Sequence, residues 1–401
     1  MHPIPIKRLA AKLSPAGERS IKNKHPWIFS DSIVKITAGG SPGDLVIVYG
    51  YKKNKVIGIG LYDPKSPIRI KMIHHGAAIP IDIDFFRTKI QNAFSLRLPL
   101  LSTNTNSYRL IHGENDQLPD LVADVFDKVM VLKLYSEIWF PYQSMLIQLL
   151  IEQSKSETVV LRLSRKFKKL TDLDYKDGEV ILGELRNEDV VFKEHGVAFS
   201  ANVIQGHKTG YFLDHRHNRK LVGEWSQGMR ILDVFSYTGG FSVHALVNGA
   251  KEVISLDISS QALIAAEGNA KLNEFKGRHK TIVGDAFKVM EQLISEKEQF
   301  DIVVIDPPSF AKSKTEIELA KQKYESLAKL GSQLTRSQGL LVLASCSSRV
   351  GADDFFDINE KALFSTKREF KLIKSTRHDI DHPIGFAEGS YLKSGYYRFS
   401  K

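Results

Sequence analysis

Cys346 is the only cysteine in the 401-residue chain, and it stands where a nucleophile could work. It follows "GLLVLAS" (339–345), an apolar run that reads as a buried strand, and it precedes a polar stretch, "SSR". A thiolate at such a strand end can divide one difficult bond-making step into two easier ones through a covalent adduct. A free thiol has a pKa of about 8.5, and a helix N-terminus following it lowers that value. "SSRVGADDFF" (347–356) reads as a loop entering such a helix, with Ser or Asp available as the cap. The plain alternative is a small buried side chain, since free cysteine is among the most buried residue types and is usually inert.

The other chemistry-bearing residues stand at the ends of further apolar runs: Asp233, Asp257, Asp285 and Asp306. "DVFSYTGGFSVHA" (233–245) holds Gly239 and Gly240 where strand turns to helix, so the backbone there can pass close to a ligand. Asp257 ends the next strand about 20 residues on, the position from which a carboxylate accepts hydrogen bonds from a ribose diol. Its alternative role is to cap the following helix. The G-x-G-x-x-G fingerprint is absent, which weakens a nicotinamide-dinucleotide reading. Asp306 opens "DPPSF" (306–310), where Pro307 and Pro308 stiffen the loop.

These residues need elements that bring them together. From about residue 229, apolar strands alternate with amphipathic helices: "MRILDVFS", "EVISLDIS", "KTIVGDA", "FDIVVIDPP" and "GLLVLASC" are the strands. That rhythm predicts βαβ crossovers and a doubly wound, mostly parallel α/β sheet, whose ligands bind at the carboxyl ends of the strands. The first 75 residues read differently. "DLVIVYG", "KVIGIGLYD" and "PIRIKMI" are short strands broken by Gly, Pro, Asn and Asp, which predicts a compact β-barrel or small sandwich rather than helices. A helix over about 84–98 and a mixed stretch beyond it predict a central α+β domain. The expected division is 1–75, 76–190 and 191–401.

Composition narrows the function classes. A single cysteine cannot build a disulfide framework, which points to a reducing cytoplasm. No apolar run approaches the ~18 residues of a membrane span, and "MHPIPIKRLA" lacks the apolar core of a secretory signal. The histidine pairs His74–His75, His215/His217 and His378/His382 come without a cysteine cluster or H-E-x-x-H, so no metal is expected. His215 and His217 read as surface or lid residues. Net charge is +10, of which +9 falls within residues 1–75, leaving the rest nearly neutral. So uneven a balance favours a polyanionic partner, with a solubilising surface as the alternative. A second basic cluster comprises Arg162, Arg165, Lys166, Lys168 and Lys169.

Taken in order, the Gly-Gly turn, Asp257, "GDAF" (284–287) and "DPP" (306–308) resemble class I S-adenosylmethionine-dependent methyltransferases. With "GHKTGYFLDHRHNR" (206–219), "DPPSFAKSK" (306–314), "ASCSS" (344–348) and "DHPIGFAEGSYLK" (381–393), the chain resembles the bacterial large-subunit rRNA cytosine-C5 methyltransferases, in which a PUA domain precedes the catalytic one. The resemblance implies S-adenosylmethionine as cofactor and ribosomal RNA as partner, a seven-stranded catalytic sheet, and a PUA-like domain, a small β-barrel, over the first 75 residues. It implies that Asp257 binds the ribose and that Asp285 and Ala286 contact the adenine. Ser236, Tyr237, Thr238, Gly239 and Gly240 would pass the methionine part, with Asp233 and Asp306 also lining the cofactor site. Thr209, Phe212 and Arg216 would close over it, or else simply pack hairpin and helix.

Carbon 5 of cytosine is a poor nucleophile, so the resemblance assigns Cys346 to attack carbon 6, with Asp306 on the cytosine edge and Pro307, Pro308 and Phe310 around the flipped base. A related branch carries a second cysteine just after its Asp-Pro-Pro; here that position is Ser309. Two readings stay beside this one. "DPPSF" also resembles the loop of amino-methyltransferases that act on guanine or adenine nitrogens, which need no thiol. Alternatively, the chain is a non-catalytic RNA-binding assembly factor. Monomer or homodimer is left open.

Overall fold

The computed structural model describes residues 6–52, 54–164, 175–311 and 313–401. They fold as two compact units. The first comprises residues up to Phe192 with Ser200–Leu213 and Ile380–Ala387, and the second comprises Lys193–Phe199, Asp214–Asp379 and Glu388–Lys401. Of the second basic cluster, only Arg162 lies within the described residues; Arg165 to Lys169 lie outside them.

The first unit opens with β1 (Arg8–Leu13), α1 (Pro15–Lys22), β2 (Trp27–Phe29), β3 (Ile33–Ile36), β4 (Leu45–Tyr49), β5 (Val56–Tyr62) and β6 (Ile68–His75). The six strands form one sheet in the order β2-β6-β5-β4-β1-β3. All neighbours run antiparallel except β1 and β4. Alternation of buried and exposed residues in β1 sends Leu9, Ala11 and Leu13 into a small core with Val46, Val48, Ile70 and Met72. The sequence reading expected strands alone here; Pro15–Lys22 is a helix, started by Pro at its first turn and by the Ser14 hydroxyl, which accepts from the Gly17 amide.

The unit continues through α2 (Ile83–Leu101), β7 (Ser107–His112), β8 (Leu121–Phe126), β9 (Val129–Leu134), α3 (Gln143–Ser154), β10 (Thr158–Leu163) and β11 (Glu179–Leu182). A five-stranded sheet, β11-β10-β9-β8-β7, packs its apolar face on α2 and α3 around Phe86, Trp139 and Leu150. Buried ion pairs pin this core: Arg97 grips Asp116 with two hydrogen bonds, and Arg109 grips Asp124 in the same way. A hairpin of β12 (Asp189–Glu194) and β13 (Val197–Asn202) follows.

The second unit is the doubly wound sheet. Its elements are α4 (Arg216–Glu224), β14 (Arg230–Val234), α5 (Gly240–Val247), β15 (Glu252–Asp257), α6 (Ser260–Lys271), β16 (Arg278–Val283), α7 (Ala286–Ser295), β17 (Phe300–Ile305), α8 (Ile317–Leu334), β18 (Thr335–Ser345), α9 (Ala352–Ser365), β19 (Phe370–Thr376) and β20 (Lys393–Phe399). The strand order is β16-β15-β14-β17-β18-β20-β19. The five strands from β16 to β18 are parallel, and β20 runs antiparallel to both its neighbours. β17 is buried along its whole length, as expected for a central strand covered on both faces. The strand order reverses between β14 and β17, and such a switch point opens a crevice at the strands' carboxyl ends.

Candidate active site

That crevice is built first from the turn after β14. Phe235, Tyr237 and Gly239 all take positive φ, at 63°, 48° and 77°, which winds the chain tightly into α5. At Gly239 a side chain would also meet the Ala266 Cβ at 2.8 Å, so both conformation and space require glycine. The Thr238 carbonyl accepts from Asn269 Nδ2 at 2.9 Å. Asp233, 1% exposed, accepts from the Ser242 amide and hydroxyl through Oδ2. Its Oδ1, together with the buried Ser236 hydroxyl, has no hydrogen-bond partner among the described residues. Buried polar atoms left in this way are what a bound polar ligand satisfies. Burial pushes the Asp233 carboxyl up to about 7, the Asp306 and Asp257 charges push the same way, and the Ser242 hydrogen bonds oppose them.

Asp257 ends β15. Its carboxylate accepts from the Tyr237 amide and the Ser259 amide, each at 2.9 Å, and so ties the β14 turn to the start of α6. The cap of α6 is Ser259, which removes the helix-capping alternative for Asp257. Ile258 beside it is 73% exposed, an apolar surface next to a carboxylate at the crevice. Asp285 is exposed and caps α7 by accepting from the Lys288 amide, while Ala286 is buried in the first turn.

The three residues expected to close over the site divide between the units. Thr209 is buried in the first unit and donates to Asp124; Phe212, also there, carries the Lys208 ammonium 4.5 Å above its ring. Arg216, in the second unit, is fully buried and pairs with Asp379 at 3.1 Å.

Cys346 and Asp306 lie at the carboxyl ends of adjacent strands, β18 and β17. The thiol is partly exposed, and its Sγ lies 3.8 Å from the Pro307 carbonyl, within hydrogen-bonding range for sulfur. It is therefore neither sealed in the core nor turned from the Asp306 loop. Pro307 is buried and Pro308 exposed. Phe310, half-buried, meets Tyr324 edge-to-face at 5.3 Å, with the Lys323 ammonium over its ring. The Tyr324 hydroxyl shares a hydrogen bond with Ser345 just before the cysteine. One expectation fails locally: the cap of α9 is Gly351, with no side-chain hydrogen bond, so neither Ser nor Asp caps that helix.

The sequence reading missed His215. It is 5% exposed, not a surface or lid residue, and its Nε2 lies 3.3 Å from Asp306 Oδ1. Burial opposes its positive form, but the Asp306 and Asp214 carboxylates outweigh burial and raise its pKa. Asn218 fixes the tautomer. Its Oδ1 accepts from the Thr376 and Tyr396 hydroxyls at 2.6 and 2.8 Å, which leaves its NH2 to donate to His215 Nδ1 at 3.0 Å. In the neutral ring the proton is therefore on Nε2, on the side of Asp306, at an ion-pair distance and without hydrogen-bond geometry. The signal was present in "HRHN": His215 and Asn218, three apart, share one face at the start of α4. Also missed was Lys393, a buried lysine opposite Ser345 in the β18–β20 ladder.

Comparison with known proteins places this architecture. A family model described as S-adenosylmethionine-dependent methyltransferase matches residues 108–373, and one described as PUA-like domain matches residues 11–75. A "Ribosomal RNA large subunit methyltransferase" from Deinococcus radiodurans is 40% identical over 394 residues, covering 96% of each chain. A "Ribosomal RNA large subunit methyltransferase I" from Erwinia tasmaniensis is 34% identical over 95% of this chain and 97% of its own. Among solved structures, "a putative sam-dependent methyltransferase from Streptococcus mutans" superposes with a TM-score of 0.81 over 97% of this chain and 99% of its own, at 18% identity, a likeness of fold. Another, solved with SAH, gives 0.81 at 17% identity over 98% and 100%. With its crevice at the β14–β17 switch point and a PUA-like domain ahead of it, this chain belongs to the S-adenosylmethionine-dependent methyltransferase family.

Proposed function

We propose that this protein methylates carbon 5 of a cytosine in large-subunit ribosomal RNA, with Cys346 as the nucleophile. The names of its relatives support the RNA substrate. One observation carries the choice of base: a partly exposed thiol at the end of β18, 3.8 Å from the Pro307 carbonyl and one strand away from Asp306. Methylation at a base nitrogen uses the nitrogen's own lone pair and has no need of that thiol.

When bound, S-adenosylmethionine supplies an electrophilic methyl group. The chain's residues do the rest. Asp257 would hold the ribose diol, Asp285 and Ala286 the adenine edge, and the 236–240 turn with Asp233 the methionine end. The Cys346 thiolate adds to carbon 6 of a cytosine taken out of its stack, which makes carbon 5 electron-rich enough to attack. Asp306 accepts from the cytosine edge, with His215 Nε2 3.3 Å from its Oδ1 as a neighbouring ion-pair partner. Loss of the carbon-5 proton and breakage of the Cys346–carbon 6 bond then release the product. With Ser309 after the Asp-Pro-Pro and Cys346 the only cysteine, release proceeds without a second thiol. Residues 1–75 would anchor the RNA, 76–190 form a central domain and 191–401 carry catalysis, in the cytoplasm where ribosomes are.

The test is chemical. Ribosomal RNA methylated by the protein should yield 5-methylcytidine on digestion, and Cys346→Ala should lose at least about 10³-fold in rate, as expected when a covalent nucleophile is removed. Methylguanosine or methyladenosine as the sole product, with activity retained in Cys346→Ala, would overturn the reading.

A further inference from the structure

Lys393 is 2% exposed, yet it carries an ammonium group. Its Nζ donates to three main-chain carbonyls, those of Ser347, Val350 at 2.6 Å and Tyr391 at 3.2 Å. No carboxylate pairs with it among the described residues. A buried charge without an opposite charge costs several kcal/mol, so such a lysine is unexpected as mere packing. What it surrounds is informative. Lys393 sits opposite Ser345 in the β18–β20 ladder, and its ammonium holds the carbonyl of Ser347. Cys346 is the residue between those two. Two of the three carbonyls, Ser347 and Val350, belong to the turn that follows the thiol.

We infer that Lys393 is a positioning residue for Cys346: it fixes the turn after β18 and supplies the positive charge against which the thiolate forms. This rests on Cys346 being the nucleophile. The electrostatics are consistent with it. Burial lowers the Lys393 pKa to about 8, the Cys346 thiolate opposes that fall, and Arg377 adds to it. At neutral pH the ammonium is therefore still charged. Other titratable groups near the thiol among the described residues include Asp306 at the neighbouring strand end, Tyr324 and Arg377. Asp306, backed by His215, disfavours the thiolate, and the Tyr324 phenol is held neutral by burial. Arg377 is exposed and lies over the Phe356 ring, so solvent weakens its influence. Among the described residues, Lys393 is a buried cation placed to offset Asp306.

Because Cys346 is the only cysteine, thiol chemistry on the full-length protein reads it directly. Iodoacetamide alkylation followed against pH should give a midpoint below the ~8.5 of a free thiol. In Lys393→Met the midpoint should rise by at least about one unit. After allowing for the greater intrinsic reactivity of a more basic thiolate, that is roughly threefold slower alkylation at pH 7. Arg377→Met should shift the midpoint less than Lys393→Met does. Should Lys393→Met fail to fold, the same coupling is measurable from the other side, because the interaction is reciprocal. In Cys346→Ser, the titration of Lys393, followed by NMR of labelled lysine, should move to lower pH.

An unchanged alkylation midpoint in folded Lys393→Met, or a Lys393 titration indifferent to Cys346→Ser, overturns the inference. If Lys393→Met loses methylation while its alkylation midpoint stays put, the lysine merely fastens the turn, and the inference fails while Cys346 keeps its role. Retained methylation in Cys346→Ala instead removes the nucleophile itself.

Discussion

The candidate nucleophile Cys346 and the Asp306 carboxylate depend on their surroundings for their charge, and buried side chains stand close to both. Asp306 lies 3.3 Å from His215, whose ring is held by Asn218, which is in turn fixed by the Thr376 and Tyr396 hydroxyls. Asp233 shows the same dependence in its ionisation. Burial raises its pKa from 3.8 to about 7, so the folded protein binds this proton more tightly than the unfolded chain. The sign follows: the stability this group contributes is fully present below about pH 4 and is lost as pH rises towards 7. The loss amounts to a few kcal/mol at most, by the ~1.4 kcal/mol per pKa unit of linkage. Urea denaturation of wild type and Asp233→Asn between pH 5 and 8 should therefore show the stability gap shifting in favour of the variant as pH rises. Parallel pH profiles would mean that Asp233 titrates normally.

Among the elements, the β14–α5 turn carries the heaviest geometric demand. Three residues in five take positive φ, and at Gly239 a Cβ would press on Ala266 of α6. Gly239→Ala should cost on the order of 2–3 kcal/mol, from the left-handed backbone penalty plus overpacking. A lowered thermal midpoint and weaker S-adenosylmethionine binding by calorimetry should accompany it. Wild-type values of both would show that the turn tolerates a side chain. Elsewhere in the same unit, Glu194 accepts from both Arg219 of α4 and His244 of α5 in full burial. Burial alone would raise the Glu194 pKa, but Arg219 outweighs it and holds the carboxyl well below its usual range.

At the scale of the molecule, charge is segregated. Residues 1–75 hold +9 of the net +10, and Lys24, Lys35 and Lys55 there are exposed. If this PUA-like domain anchors ribosomal RNA, binding will be driven by counterion release and will weaken steeply with salt. Neutralising Lys24, Lys35 and Lys55 together should reduce the slope of log affinity against log salt by up to about 2–3, at roughly 0.7–0.9 for each phosphate that a lysine no longer neutralises. Fluorescence anisotropy with a ribosomal RNA fragment would measure it. An unchanged slope would place the RNA-binding surface elsewhere.

Much of this was legible in the chain itself. The doubly wound sheet was, because buried parallel strands must be continuous apolar runs and their crossover helices must be amphipathic, so "FDIVVID" and "GLLVLAS" announce themselves. So was the placing of Asp233, Asp257, Asp306 and Cys346 at strand ends, since each directly follows or closes such a run. The short helix Pro15–Lys22 was not, because eight residues carry too little periodicity to stand out from neighbouring strands. Nor were the burial of His215 and the placing of Lys393. A lone histidine in a polar stretch looks solvated, and a lysine on an antiparallel strand looks like its exposed face. What buries them is pairing across long sequence separations, His215 with Asp306 and Lys393 with the Ser347 carbonyl. Local pattern determines which segments become strands and helices. Only the tertiary fold decides which polar groups lose their water and must take one another as partners.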